Sequence, residues 1–260
     1  MPTVKPYPGT QSILRAVAVL KQFDDTKPAW GLSELARAVG INKTTTFRLL
    51  SALESEGLVA RAEDGEQYIL GPEIISLAGH ALRSNNMRAI SRPTLEDLAA
   101  QTGETSSLEI LTGREMLIID EVVGEHLVGG LRQLGTRWPA HGTSTGLAIL
   151  ATWAADKQEA FLSHSLVAVT PATIVDAGEL RQLLTRFAHQ GYAVSDEMLE
   201  PGLIAIGAPV KDLQGQATAA ISIYGPKSRL TPNRIPSLGQ MIRDAACAIS
   251  LRLGHREPQL

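Results

Sequence analysis

The chain has 260 residues, 44% hydrophobic and 20% charged, a mix that excludes disordered and fibrous classes and allows one large domain or two ordinary ones. Its 24 basic and 27 acidic residues leave a net charge of −3, so total charge points neither to nucleic acid nor to a membrane surface. One cysteine, Cys247, rules out an internal disulfide framework and fits a reducing compartment. No apolar run reaches the roughly 18 residues of a membrane helix, and the N-terminal stretch has no signal-peptide pattern, so a cytoplasmic protein without a membrane partner is predicted.

Pro2, Pro6, Pro8 and Gly9 predict a mobile tail over residues 1–10. Ile13, Leu14, Val17 and Leu20 then recur at helical spacing, with Ser12 available as N-cap and a stop before Asp24-Asp25. The next stretch, LSELARAVGINKTTTFRLLSALESEGLV, reads as a helix-turn-helix. Ser33 can cap a short helix bearing Leu35, Ala36 and Val39, and Gly40 sits where the turn needs a positive φ. Ile41 plugs the turn, while Leu49, Leu50 and Leu53 anchor the second helix.

Asn42, Lys43, Thr44, Thr45 and Thr46 open that second helix with little bulk, which suits a helix start inserted in the major groove. A turn at Glu63-Asp64-Gly65 between Val59–Ala62 and Gln67–Leu70 predicts a following hairpin, the wing of a winged helix. Residues 1–75 hold eight basic and nine acidic side chains, yet Leu35 to Leu53 hold three cations and no acid. A module this weakly charged binds DNA poorly alone, because phosphate contacts supply much of the affinity, so a dimer or larger assembly is predicted.

A helix from Glu73 to about Arg83 and a second through Leu98 follow, broken at Ser84-Asn85-Asn86, with Pro93 predicting a kink or restart. Strand-like runs at 105–111 and 115–122 flank a Thr112-Gly113-Arg114 turn. Helices are predicted at 146–155 and 176–190, strands at 204–210 and 217–224, and a final helix at 235–253 that holds Cys247. The pattern predicts an α+β fold in two domains. The boundaries are a tail (1–10), a winged helix-turn-helix (11–72), a helical linker (73–91), an effector-binding domain (92–255) and a second tail (256–260).

The segment GYAVSDEMLEPGLIAIGAPVKDLQGQATAAISIYGP, residues 191–226, resembles the C-terminal signature of the IclR family of bacterial transcriptional regulators. SILRAVAVLKQF, the helix-turn-helix stretch above and YILG at Tyr68–Gly71 resemble that family's winged-helix half, so the likeness spans residues 11 to 253. The resemblance implies a DNA-binding domain, a helical linker and a GAF-like antiparallel sheet with helices that binds a small effector. It also implies a homodimer or dimer of dimers on a palindromic operator, with repression the commoner mode. By position, Lys43, Thr44, Thr45 and Thr46 are implied to meet base edges, and Arg48 a phosphate or the domain core. The implied effector pocket comprises Leu127, Gly130, Ser144, Thr145, Ser195, Ala205, Ser222 and Tyr224.

Five of these depart from the family pattern: Ala205 replaces a frequent cysteine, Ser195 an aspartate, Ser144-Thr145 a Gly-Ala pair, and Tyr224 a small serine. The departures predict a larger, less charged effector than a small keto acid, aromatic or amide-bearing, held by hydroxyls, helix-start amides and the Tyr224 ring.

Two other classes compete with the regulator. Gly142-Thr143-Ser144-Thr145-Gly146 spells the G-x-S-x-G elbow of serine hydrolases, and Asp176 and His189 follow in the right order. Yet Arg132–His141 offers charge, glycine and proline where a central strand should lead into the serine, so hydrolysis by Ser144 is the alternative and not the expectation. A sensor whose helix-turn-helix serves only dimerisation is the other. His141, His164 and His189 lack metal-site spacing, and no phosphate loop is present, so neither metal nor cofactor is expected.

Overall fold

The computed structural model describes residues 10–63, 65–125 and 134–256. The chain separates into two compact units, Met1–Ser84 and Asn85–Leu260. The predicted linker is thereby divided, its first helix lying in the first unit and its second in the other.

In the first unit, α1 (Gln11–Leu20), α2 (Leu32–Ala38) and α3 (Lys43–Ser55) surround a core of Val19, Phe23, Leu35, Leu50, Leu53, Val59 and Tyr68. α1 buries Val19, whereas Ile13, Leu14 and Val17 face solvent in the single chain. The α2 start differs from the sequence reading: Gly31 is the N-cap, its N–H bonding the Glu34 carboxylate, and Ser33 lies inside the helix. Gly40 takes φ +66° in the turn, and Ile41 N–H bonds the Ala36 carbonyl at 3.0 Å. The wing strands β2 (Val59–Arg61) and β3 (Gln67–Leu70) pair antiparallel. A two-residue strand too short to leave a sequence signal, β1 (Trp30–Gly31), pairs on the other side of β3. α4 (Pro72–Arg83) closes the unit with no buried residue.

The second unit is built on a six-stranded antiparallel sheet of order β6-β5-β4-β9-β8-β7. Its strands are β4 (Thr105–Thr112), β5 (Glu115–Val122), β6 (Arg137–Pro139), β7 (Ala193–Asp196), β8 (Leu203–Lys211) and β9 (Ala217–Pro226). α5 (Asn86–Thr102) runs unbroken through Pro93. Burial of Leu95 and Leu98 and the bonds from Arg88 and Arg92 to buried Asp120 outweigh the roughly 3 kcal/mol an internal proline costs.

Successive residues of a strand face opposite sides of the sheet. Ser106 Oγ donates to the Leu95 carbonyl on α5, so Ser107 and Glu109 face the other way, toward α6 (Ser144–Ala151). α6 is buried on every side, against Met116, Leu180, Leu184 and Phe187 among others. α7 (Ala155–Leu162), α8 (Ala177–Gln190, capped by Asp176) and α9 (Ile235–Arg252) complete the unit.

Candidate DNA-reading helix and effector niche

α3 begins with a side-chain cap: Asn42 Oδ1 accepts from Thr45 N–H at 2.8 Å. Lys43, Thr44, Phe47 and Arg48 are exposed, and Thr45 is half-buried. Thr46 is fully buried, and its hydroxyl donates to the Asn42 carbonyl at 3.0 Å. The sequence placed Thr46 among the base-reading residues; the 100° step of a helix turns it inward instead. Phe47, 47% exposed on the helix that opens with Lys43, was missed because an aromatic there reads as core. The wing carries its own cation, as Arg61 stacks on Tyr68 at 3.9 Å and bonds the Gly65 carbonyl.

The second cluster lies on the sheet face beneath α6. Sheet register aligns Ser107 with Ser222, Thr105 with Tyr224, Gly207 with Ser222, and Ala205 with both Tyr224 and Ser195. Hence Ser195, Ala205, Ser222 and Tyr224 share one face with Ser107 and Glu109. The α6 start closes on them: a Cβ at Gly207 would lie 2.9 Å from Ser144 C and Thr145 N.

Most polar groups here are satisfied by one another. Thr145 Oγ1 donates to Glu109 Oε2 at 2.6 Å, Ser107 Oγ donates to Glu109 Oε1 at 3.1 Å, and Ser107 and Ser222 hydroxyls are 2.8 Å apart. Tyr224 Oη donates to Glu121 Oε2 at 2.8 Å, and Ser195 Oγ donates to the Gly142 carbonyl at 2.7 Å. Ser144, only 2% exposed, differs, because its hydroxyl makes no hydrogen bond among the described residues. Glu109, also 2% exposed, and Ser107 are the residues sequence reasoning missed. Leu127 and Gly130 lie outside the described residues.

The structure also accounts for the G-x-S-x-G string. Thr143 is the α6 N-cap, its Oγ1 accepting from Gly146 N–H at 2.9 Å. A Cβ at Gly146 would sit 2.1 Å from the Ala140 carbonyl oxygen, so the glycine serves close packing. Asp176 caps α8 and is exposed, as is His189, and no hydrogen bond joins either to Ser144. His141 is buried with Nε2 3.0 Å from the Val167 carbonyl, and burial pulls its pKa below the ordinary histidine value. Among the described residues, no group of three or more His, Cys, Asp or Glu is placed to hold a metal.

A winged helix-turn-helix with an exposed recognition-helix start, in one chain with an α+β unit holding a buried polar niche, defines a transcriptional regulator. Residues 79–251 match the bacterial transcriptional regulator IclR C-terminal family and residues 12–63 the IclR helix-turn-helix domain, so the chain belongs to the IclR family.

The transcriptional repressor IclR of Escherichia coli (strain K12) is 31% identical over 259 residues, covering 97% of this chain and 94% of that protein. An IclR transcriptional regulator from Silicibacter sp. TM1040 has a TM-score of 0.83 at 28% identity, covering 95% of this chain and 98% of that one. An IclR homolog from Microbacterium hydrocarbonoxydans, solved with 4-hydroxybenzoate, has a TM-score of 0.79 at 27% identity, covering 93% and 98%. The protein is a regulator and not an enzyme, and hydrolysis by Ser144 finds no support. No helix of the described residues is long and apolar enough to cross a membrane.

Proposed function

We propose that the protein is a cytoplasmic repressor of a catabolic pathway, released from or retuned on a palindromic operator when a small aromatic effector fills the niche beneath α6. The boundaries proposed are those of the sequence: reader 11–72, linker 73–91 and sensor 92–255, flanked by the two tails. Asn42 acts as the cap that fixes the α3 start, and Lys43, Thr44, Thr45 and Phe47 meet base edges, with Arg48 on a phosphate. Assembly is through a homodimer or a dimer of dimers. The apolar exposure of Ile13, Leu14 and Val17 on α1 and of Ile75 and Leu77 on α4 supports this, as does the weak charge of the reader.

The observation that carries the effector reading is the Ser144 hydroxyl, which makes no hydrogen bond among the described residues on a side chain only 2% exposed, beside the Thr145–Glu109 hydrogen bond. A hydroxyl left open in this way can both donate to and accept from a polar group of a ligand. The Ser144 hydroxyl takes an O–H or N–H donor of the effector, while Tyr224 and Ala205 face its ring. The 4-hydroxybenzoate held by the Microbacterium hydrocarbonoxydans relative has such a donor. Leu127, Gly130, Ser195 and Ser222 complete the proposed lining.

Titration calorimetry with 4-hydroxybenzoate, benzamide, pyruvate and glyoxylate tests this reading. Heat from at least one aromatic, lost in Ser144→Ala, is expected; micromolar binding of pyruvate or glyoxylate with none of the aromatics would overturn it.

A further inference from the structure

A second cavity lies within the same unit, away from the niche. It occupies about 230 Å³ between the last turns of α6 and α8, the end of β8 and α9. That is below the ~300 Å³ at which drug-sized pockets begin, so the cavity suits a fragment of a few carbons. Its floor is apolar, formed by Ala148 and Ala151 of α6, Phe187 of α8 and Ala208 of β8.

Its polar lining has one sign. Lys211, Arg243 and His255 border it, and no acidic residue does. Among the described residues Lys211 forms no ion pair, and Arg243 pairs only with its sequence neighbour Asp244, at 3.6 Å. His255 is only 9% exposed, and its ring makes no hydrogen bond among the described residues, whereas its backbone N–H bonds the Ser250 carbonyl. An imidazole always has at least one N–H or lone pair to offer, so a ring that borders a cavity can serve a ligand there. The cavity therefore combines an imidazole at its border, two cations without strong partners, and an apolar floor.

We propose that this cavity is a second small-molecule site, which takes a short-chain aliphatic monocarboxylate. The carboxylate meets Lys211, Arg243 and His255, and the alkyl chain lies on the alanines and Phe187. The cationic lining differs from the hydroxyls of the niche under α6, so the two sites select different compounds.

Cys247 is the only cysteine in the chain, is exposed and lines this cavity, so its alkylation reports occupancy. The rate of Cys247 modification by N-ethylmaleimide is measured in the full chain against increasing hexanoate, hexanol or inorganic phosphate. Hexanoate is expected to slow the reaction with half-protection at about 1 mM, the affinity of a small fragment. Phosphate gives no protection, and hexanol protects about tenfold less well, since the charge contact is worth about 1.4 kcal/mol. In Lys211→Ala/Arg243→Ala the hexanoate advantage over hexanol disappears, whereas Ser144→Ala, which alters only the niche, keeps it.

Equal protection by hexanol and hexanoate in the wild type would overturn the proposal without needing a variant. So would absence of protection, or protection lost in Ser144→Ala.

Discussion

Thr145 Oγ1 donates to Glu109 Oε2 across 2.6 Å, tying the first turn of α6 to a buried carboxylate on β4. Removing a donor from a buried carboxylate leaves that group undersatisfied, at a cost of about 1–3 kcal/mol. Thr145→Val is therefore expected to lower the unfolding free energy of the second unit, read from its urea transition, by that amount. Thr145→Ser, which keeps the hydroxyl, should recover most of it. Equal loss in both variants would mean that the methyl group, not the hydrogen bond, matters.

The two halves of the G-x-S-x-G string are expected to respond unequally. Gly146→Ala places a methyl 2.1 Å from the Ala140 carbonyl oxygen, so α6 must move or the unit unfold. The expected loss is about 3 kcal/mol or more, in the range of overpacked cores. Ser144→Ala removes an unpartnered hydroxyl and should leave thermal stability within about 0.5 kcal/mol of wild type. Differential scanning calorimetry separates them; a destabilised Ser144→Ala would show that its hydroxyl is bonded within the fold.

On the recognition helix, exposure sorts the side chains by role. Thr46→Val should leave DNA affinity unchanged, since its side chain is buried. Arg48→Ala should weaken binding to all sequences alike and flatten the salt dependence by about 0.9 per protomer, as loss of one phosphate neutralisation does. Phe47→Ala should relax preference at one base pair by about 1–3 kcal/mol, as loss of an apolar contact to a thymine methyl does. Affinity measured on duplex variants at several salt concentrations checks all three; a large loss in Thr46→Val would contradict the placement.

His141 sets an acid limit on stability. Burial, aided by the charge of Arg114, holds its folded pKa below the ordinary value of 6.5. The unfolded chain thus binds more protons between the two values, so this contribution is complete above about pH 6.5 and lost as pH falls through the folded pKa. Melting temperature is expected to drop between pH 7 and about pH 5 in the wild type and less in His141→Gln, which keeps an N–H for the Val167 carbonyl. Parallel pH profiles would exclude His141 as the cause.

Much of this was legible in the sequence because local signals agreed. Gly40 at the turn, the Leu50 and Leu53 anchors of α3 and the long periodic run of α9 each satisfy one strong rule. What escaped notice depended on distance. Glu109 sits in the strand SSLEILT, where a glutamate reads as solvent-facing; its burial depends on Thr145, 36 residues away. Thr46 could not be told from Thr44 by composition, because only the packing of α3 decides which of three adjacent threonines turns inward. β1 and β6, of two and three residues, are too short to show a period. α7 escaped for another reason, since Ala155–Leu162 has too few apolar positions to outweigh its polar ones.

The most direct test of the regulator as described is the competition of effector with operator DNA. Duplexes bound by the purified protein are selected from fragmented DNA of the source genome, and affinity for the tightest is followed by fluorescence anisotropy. Titration with whichever aromatic gave heat in calorimetry should shift the apparent affinity by about 5–150-fold, the range of allosteric couplings, and Ser144→Ala should abolish that shift while leaving DNA binding intact. Unchanged DNA affinity with the aromatic bound, or an undiminished shift in Ser144→Ala, would contradict the link between the niche under α6 and the helix that reads DNA.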